Sequence, residues 1–159
     1  MRIAVLTISD SCHAGRRQDA SGPAVVDFLR SKGLEIVATR ILPDDEGQIL
    51  QALQQWVAES ASLILTTGGT GVAPRDVTPE ATRRAITREI PGLAELMRAE
   101  GLRKTRRAVL SRGVVGIRGK TLIVNLPGSP KGAVESLEAV FDLLPHVVEL
   151  ASGRVSDHG

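Results

Sequence analysis

Short apolar runs of β-type residues alternate with segments of helical periodicity, and this alternation restricts the fold more than any other feature of the sequence. Five runs predict strands, over residues 2–8, 35–42, 63–65, 113–118 and 121–126. Between them, apolar residues recur at helical spacing, as in Ile49, Leu53 and Trp56. Strands that alternate with helices form a parallel sheet covered on both faces, so we predict a three-layer α/β/α fold.

The last two strand segments are separated only by Gly119 and Lys120, which is too short for a parallel connection. Glycine can adopt the positive φ that a type II′ turn requires at its first central position. We therefore predict a hairpin near residues 113–126, which adds one antiparallel strand to the mostly parallel sheet.

Residues that are typical helix N-caps predict where several helices begin. Thr78 and Ser129 each precede a proline, so we predict that both are N-caps. Asp45, followed three residues later by Gln48, fits a capping box. The last helix is predicted to present apolar residues on one side from 134 to 144.

Length and composition limit the remaining possibilities. The 159 residues fit a single domain, predicted over residues 1–153, with a disordered tail over 154–159. Aromatic residues make up only 2%, which disfavours a nucleic-acid partner bound by base stacking. The single cysteine, Cys12, excludes an internal disulfide and disfavours structural zinc. Without an apolar run of about 18 residues or a signal-peptide pattern, we expect a cytoplasmic protein with no membrane partner.

The net charge is only +2, but six basic residues crowd one stretch of the chain. They are Arg98, Arg103, Lys104, Arg106, Arg107 and Arg112. This stretch could bind an anionic partner, or it could be a solvated helix end and loop. The sequence leaves both interpretations open.

A glycine-rich segment over residues 66–76 follows the third predicted strand. In open α/β sheets, ligands bind at the carboxyl ends of the strands, where loops enter helices. The backbone amides around Gly68, Gly69 and Gly71, with the hydroxyl of Thr70, could converge on an anion there. The segment is neither a Walker loop nor a dinucleotide fingerprint. Alternatively, it is a tight turn that needs glycine for backbone reasons.

A second candidate anion site lies over residues 125–132, between the last strand and the last helix. Ser129 leaves the first amides of that helix free to face the strand ends, and Lys131 adds a positive charge. Ordinary capping explains the serine in either case. The functional interpretation requires only that an anion also binds.

Two aspartates near these loops have no capping role in the sequence. Asp45 caps one helix and Thr78 the other, so Asp44 and Asp76 are left over. Carboxylates beside phosphate sites are typical of Mg²⁺ coordination in phosphoryl or nucleotidyl transfer. The sequence therefore predicts Asp44 and Asp76 as candidate magnesium ligands.

Taken together, these motifs resemble the molybdopterin-binding family, which includes the bacterial Mog and MoaB proteins and the G domain of gephyrin. The segments with the strongest resemblance are 66–71, 75–81 and 125–131. Further matches lie at 8–10, 19–22 and 111–112. The resemblance thus extends over nearly the whole chain.

The resemblance implies adenylylation of molybdopterin by MgATP, which gives adenylylated molybdopterin and pyrophosphate. It implies that Asp44 and Asp76 are the catalytic acids. The implied substrate- and nucleotide-binding residues are Ser9, Asp10, Gly68, Gly69, Thr70, Gly71, Ser111, Asn125, Pro127, Gly128, Ser129 and Lys131. ATP would be a co-substrate with Mg²⁺, and no tightly bound cofactor is expected.

The resemblance also implies a homo-oligomer, either a trimer or a hexamer. A molybdenum-insertion protein would be a further partner. The alternative to an enzyme is a non-catalytic carrier or scaffold protein of the MoaB type, which would bind molybdopterin without using ATP.

Overall fold

The computed structural model describes residues 1–154, and within them six strands and seven α-helices. The strands are β1 (Ile3–Ile8), β2 (Ile36–Leu42), β3 (Leu63–Thr67), β4 (Arg88–Glu89), β5 (Val115–Arg118) and β6 (Thr121–Leu126). The helices are α1 (Asp10–His13), α2 (Ser21–Ser31), α3 (Glu46–Ala58), α4 (Thr78–Ala85), α5 (Pro91–Leu102), α6 (Pro130–Val140) and α7 (Leu144–Ala151). The described residues also contain two 3₁₀ turns, Arg106–Leu110 and Phe141–Leu143. Of the tail predicted over 154–159, all but Arg154 lies outside the described residues.

All six strands form one sheet, in the order β2-β1-β3-β6-β5-β4. The first four of these are parallel neighbours, whereas β5 is antiparallel to both β6 and β4. The predicted three-layer, mostly parallel fold is confirmed. The predicted hairpin is confirmed too, because Gly119 has φ +59° between paired Arg118 and Thr121. Strand β4 was not predicted, since two exposed residues give no periodic signal.

Successive side chains of the central strands enter two separate cores. In β1, Ile3 and Val5 pack on the face covered by α2, α5 and α6, while Ala4 and Leu6 pack on the face covered by α3 and α4. Because helices cover both faces, every residue of β1 is buried. This is why the strand is a continuous apolar run in the sequence rather than an alternating one.

The last predicted helix is wrong as a single element. Helix α6 ends at Val140, and a 3₁₀ turn separates it from α7. Pro145 has no amide hydrogen to donate to the carbonyl of Phe141, and its ring clashes with a continuing helical turn. The apolar spacing runs through the break, because Leu137 and Leu144 belong to the same core.

The predicted N-cap at Thr78 is also wrong. The structure places Val77 at the cap position, with no side-chain hydrogen bond to the helix. The hydroxyl of Thr78 instead donates to the carbonyl oxygen of Gly68 at 3.0 Å. Thr78 therefore ties α4 to the glycine-rich segment.

Candidate active site

The loops with the predicted site residues meet where the direction of strand order changes. From β1, the chain crosses first to β2 on one side and then to β3 on the other. Loops that leave neighbouring parallel strands in opposite directions open a crevice at their carboxyl ends. The loops after β1, β2, β3 and β6 surround this crevice and contain Ser9, Asp44, Gly68 and Gly128 respectively.

The glycine-rich segment needs glycine for backbone reasons at two positions. Gly68 has φ +93° and Gly69 has φ +68°, a region that L side chains rarely adopt. A Cβ on Gly68 would overlap the carbonyl oxygen of Ile8, and one on Gly69 would overlap the hydroxyl of Thr78. The interpretation as a tight turn is therefore correct, and anion binding stays a prediction beside it.

Asp44 lies against this turn, since a Cβ on Gly69 would lie 3.0 Å from its Oδ1. The sequence predicted no local partner for Asp44, and the partner that it has in the structure lies 34 residues away in the chain. Oδ2 of Asp44 accepts a hydrogen bond from the amide of Asp10 at 3.1 Å. Burial raises the pKa of Asp44, and the charges of Asp10 and Asp76 raise it further. A carboxylate with a raised pKa in a crevice is typical of a functional site.

Asp76 lies at the end of the glycine-rich segment and lines the same cavities as Gly69. Its Oδ2 accepts from the amide of Ala73 at 3.0 Å, so this acid, unlike Asp44, has a partner in its own loop. A Cβ on Gly71 would lie 2.8 Å from the same oxygen. The glycine at 71 therefore leaves room for the carboxylate.

Two cavities open on either side of the turn. The first has a volume of about 430 Å³ and extends between α5, α6 and the 3₁₀ turn after α5. The second has a volume of about 370 Å³ and extends toward α1 and the start of α2. The two cavities share four of their lining residues, Gly69, Asp76, Gly128 and Ser129. The two cavities therefore meet at one boundary.

Most of the predicted site residues line these cavities. Those in the first cavity only are Thr70, Gly71, Ser111, Asn125 and Pro127. Those in the second only are Ser9, Asp44 and Gly68. Asp10 and Lys131 line neither cavity. The side chain of Lys131 is 87% exposed, with its Nζ 3.9 Å from Oε1 of Glu135.

Asn125 reaches the first cavity but its amide is committed to the fold. Its Oδ1 accepts from the amide of Val114 at 3.0 Å. Its Nδ2 donates to the hydroxyls of Thr66 at 3.0 Å and Thr82 at 2.9 Å. This buried amide holds β6 against β3 and α4 beneath the site.

Sequence reasoning missed part of both walls. The first cavity includes Ala94 and Met97 of α5, whose apolar spacing predicts only a core-facing helix. The second includes Thr7 and Asp19, and Asp19 accepts from the hydroxyl of Thr7 at 2.7 Å. Asp19 also accepts from the amide of Gly22 at 3.1 Å, as a capping residue would. This capping pattern and the family match at 19–22 were the two signals that could have located it.

The basic stretch does not form one free patch. Arg98 donates from Nη1 to the carbonyl oxygens of Ser111 at 3.3 Å and Gly113 at 3.1 Å. Arg103 pairs with Glu100, and Arg107 lines the first cavity. Its members therefore have different roles.

Residues 4–146 match the family model described as a probable molybdopterin binding domain. The chain belongs to this family. Among the described residues of this molybdopterin-binding domain, no three His, Cys, Asp or Glu side chains are grouped so as to hold a metal ion. Nor is any helix within residues 1–154 long and apolar enough to cross a membrane.

Relatives of this molybdopterin-binding domain match it along almost its whole length. The molybdopterin adenylyltransferase of Escherichia coli K12 is 44% identical over 163 residues, covering 100% of this chain and 79% of that protein. The molybdenum cofactor synthesis protein cinnamon of Drosophila melanogaster is 46% identical over 154 residues. That match covers 96% of this chain but only 26% of the Drosophila protein.

A solved structure has the same fold. The molybdopterin biosynthesis enzyme MoaB from Thermus thermophilus superimposes with a TM-score of 0.91 at 55% identity. The match covers 96% of each chain.

Proposed function

We propose that the protein is a molybdopterin adenylyltransferase of molybdenum cofactor biosynthesis. It transfers the adenylyl group of ATP to the phosphate of molybdopterin and releases pyrophosphate. The observation that carries this proposal is the pair of cavities that share Gly69, Asp76, Gly128 and Ser129. Two substrates that react through their phosphates need two binding spaces joined at one anion-binding boundary. The adenylyltransferase relatives of similar length support the assignment.

The chemistry demands little from an acid or base. A phosphate monoester is already ionised near neutral pH, so its oxygen can attack the α-phosphorus of ATP directly. The new bond joins that oxygen to the α-phosphorus, and the bond from the α-phosphorus to the pyrophosphate oxygen breaks. Catalysis then consists of alignment and charge neutralisation of two polyanions.

The boundary between the cavities supplies groups of the right kind for phosphate. The hydroxyl of Ser129 lies there, at the start of the 11-residue helix α6, which favours anions. The first amides of α6 are not all free as predicted, because Pro130 has none and Gly132 and Ala133 donate to Ser129, which leaves the amide of Lys131. Gly128 approaches Gly68 closely enough that a Cβ on Gly128 would lie 3.3 Å from the Cα of Gly68. The backbone on both sides can therefore contact a phosphate without a side chain between them.

Asp44 and Asp76 fit a magnesium ion that arrives with ATP. Within the described residues each carboxylate uses Oδ2 for a protein hydrogen bond, and none is found at Oδ1. The two charges also repel, since Asp76 raises the pKa of Asp44. Mg²⁺ prefers one or two carboxylates plus phosphate oxygens, and it would relieve this repulsion while neutralising the phosphates.

The assembly and location belong to the same proposal. We expect a trimer or hexamer in the cytoplasm, with a molybdenum-insertion protein receiving the product. Val72, Val109 and Leu110 are exposed, as apolar residues at subunit contacts would be in a single chain. Light scattering tests the assembly, because a mass of 16.9 kDa at micromolar concentration would contradict it.

The experiment that tests the activity is ATP-dependent pyrophosphate release with purified molybdopterin. We expect turnover by the wild type, and a loss of at least about a hundredfold in both Asp44→Asn and Asp76→Asn. Asp142→Asn is the control, because Asp142 is exposed in the 3₁₀ turn at the opposite end of α6. Unchanged turnover in both site variants would overturn the proposal. Calorimetry that shows molybdopterin binding but no magnesium-dependent ATP heat would assign a carrier instead.

A further inference from the structure

The side chain of Arg112 spans the loop that ends at Asp76. Its Nε donates to the carbonyl oxygen of Gly71 at 2.7 Å, and its Nη2 donates to the carbonyl oxygen of Asp76 at 2.7 Å. The backbone amide of Arg112 donates to the carbonyl oxygen of Thr70 at 2.8 Å. One residue therefore holds both ends of the segment 70–76.

Glu80 holds the guanidinium from the other side. Nη1 of Arg112 lies 2.7 Å from Oε2 of Glu80, and Nη2 lies 3.3 Å from Oε1. The hydrogen bonds from Arg112 lower the pKa of the Glu80 carboxyl, so the pair stays ionised at neutral pH. Glu80 lies in the first turn of α4, which anchors the arginine to a regular element.

Apart from Arg112, one side chain within the described residues attaches the segment 70–76 to the rest of the molecule: Arg75, which is 67% exposed, binds the Asp10 carboxylate at 2.9 Å and 2.8 Å. The middle of the segment is exposed, and Val72 is 71% accessible. Inside the segment, two hydrogen bonds join Ala73 and Asp76, one from each amide. These bonds shape the turn but do not attach it to the rest of the molecule. Arg112 differs from Arg75 in that it binds the backbone at both ends of the segment, at Thr70 and Gly71 and at Asp76.

Only arginine can make these contacts together. Its planar guanidinium offers donors in fixed directions, and here three nitrogens reach two carbonyl oxygens and one carboxylate. A lysine has a single ammonium on a flexible stem and cannot reach all three. Ser111 and Gly113, on either side of Arg112, line the first cavity.

We propose that Arg112, held by Glu80, is the positioning residue for Asp76. It fixes the segment 70–76 so that the Asp76 carboxylate stays at the boundary between the two cavities. Arg112 lines neither cavity, so it acts through Asp76 and not on a substrate. The turnover part of this proposal rests on the proposed adenylyl transfer, whereas the ordering of the segment does not.

The turnover test compares Arg112→Lys and Glu80→Gln with Arg83→Lys. Arg83 also lies on α4 and pairs with Glu89 at the surface, so it is a matched control. The assay is run at a temperature where circular dichroism shows that every variant is folded. There kcat should fall about tenfold to a hundredfold in Arg112→Lys and less in Glu80→Gln. KM for molybdopterin should change less than kcat, because the segment 70–76 contributes only Thr70, Gly71 and Asp76 to the walls of the two cavities. A role only in stability would instead lower the melting temperature and leave kcat unchanged.

The second test does not need activity. Amide hydrogen exchange followed by mass spectrometry should show faster exchange within residues 70–76 in Arg112→Lys, by at least about tenfold, and no change in Arg83→Lys. Glu80→Gln should give a smaller increase in the exchange rate. It replaces Arg112→Lys as the test variant if Arg112→Lys does not fold. Equal exchange in the variants and the wild type would overturn the proposal. If no pyrophosphate is released even by the wild type, adenylyl transfer fails, and exchange still decides the role of Arg112.

Discussion

Asp10 and Asp44 bind each other's backbone. The amide of Asp10 donates to Oδ2 of Asp44 at 3.1 Å, and the amide of Asp44 donates to Oδ1 of Asp10 at 2.9 Å. Arg75 completes the arrangement with two hydrogen bonds to the Asp10 carboxylate, at 2.9 Å and 2.8 Å. Both oxygens of Asp10 are therefore occupied. We expect Asp10 to act by placing Asp44, although the resemblance implied direct binding of substrate.

The two aspartates should respond in opposite directions to loss of charge. Burial raises the pKa of Asp44, while the hydrogen bonds from Arg75 lower the pKa of Asp10. At neutral pH, Asp44→Asn should leave the free energy of unfolding equal or higher, because it removes an ionised group that the fold disfavours. Asp10→Asn should lower it by about 1 kcal/mol or less, the scale of an exposed ion pair. Urea titration at several pH values measures both.

The pH windows follow from linkage. The stability from Asp44 is complete below the ordinary carboxyl value of 3.8 and is lost as the pH rises through its raised folded pKa. The stability from Asp10 is present above 3.8 and is lost as the pH falls through its lowered folded pKa. The differences in free energy of unfolding between the wild type and each of the two variants, Asp44→Asn and Asp10→Asn, should therefore become smaller at acidic pH. A lower stability of Asp44→Asn at neutral pH would contradict the burial argument.

Loss of Arg75 should move the acidic limb of the rate profile. The guanidinium lowers the pKa of Asp44 through its charge and also neutralises Asp10. In Arg75→Gln the pKa of Asp44 should rise further, so turnover should fall off at a higher pH than in the wild type. Arg75 is 67% exposed, so salt should reduce the shift. Arg83→Gln should not move the limb, and an unmoved limb in Arg75→Gln would show that Asp44 ionisation does not limit turnover.

The fold could be predicted where local and tertiary signals agree. Strand β1 is apolar throughout because both faces of the sheet are covered, and Asp45 caps α3 through the amide of Gln48 as its sequence pattern indicated. The break at Pro145 was missed because the apolar spacing continues into α7 on the same core. Thr78 was misplaced because its acceptor, the Gly68 carbonyl, lies ten residues back, at the start of the loop that leads into α4.

Part of the candidate site could be predicted for similar reasons. The positions of Gly68 and Ser129 follow from local backbone demands that glycine and serine meet. The contacts of Arg112 could not be predicted from local demands, because its two loop acceptors are backbone carbonyls 36 and 41 residues away. Every residue has a carbonyl, so no residue type marks such an acceptor in a sequence. The pairing of Asp10 with Asp44 across 34 residues is hidden for the same reason.

Gly68 and Gly33 provide a matched test of the glycine turn. Both have positive φ, +93° and +77°, so alanine is strained at either position. At Gly33 a Cβ meets open space, and Gly33→Ala should cost about 1–2 kcal/mol while turnover is kept. At Gly68 a Cβ would overlap the Ile8 carbonyl, so Gly68→Ala should cost more and should abolish turnover. Thermal unfolding and pyrophosphate release measure the pair, and equal behaviour would refute a special role for the turn.

Ser129 has a structural task that its removal should reveal. Its Oγ accepts from the amide of Gly132 at 3.0 Å, at the N-cap of α6. Ser129→Ala should therefore destabilise the protein by about 1 kcal/mol. It should also weaken phosphate binding, since its hydroxyl lies at the boundary between the cavities. Ser129→Thr keeps the hydroxyl and should restore most of the stability.

Lys131 should separate binding from folding two residues away. A lysine in the first turn opposes the helix dipole, and its contact with Glu135 at 3.9 Å is exposed, so Lys131→Ala should change stability by less than about 0.5 kcal/mol. If the Nζ swings to a substrate phosphate, its loss should weaken binding of ATP or molybdopterin by about 1–3 kcal/mol, less so in high salt. Calorimetry with each ligand measures this, with Lys120→Ala, in the distant hairpin turn, as the control. Native affinity for both ligands would leave the anion site to Ser129 and the backbone amides.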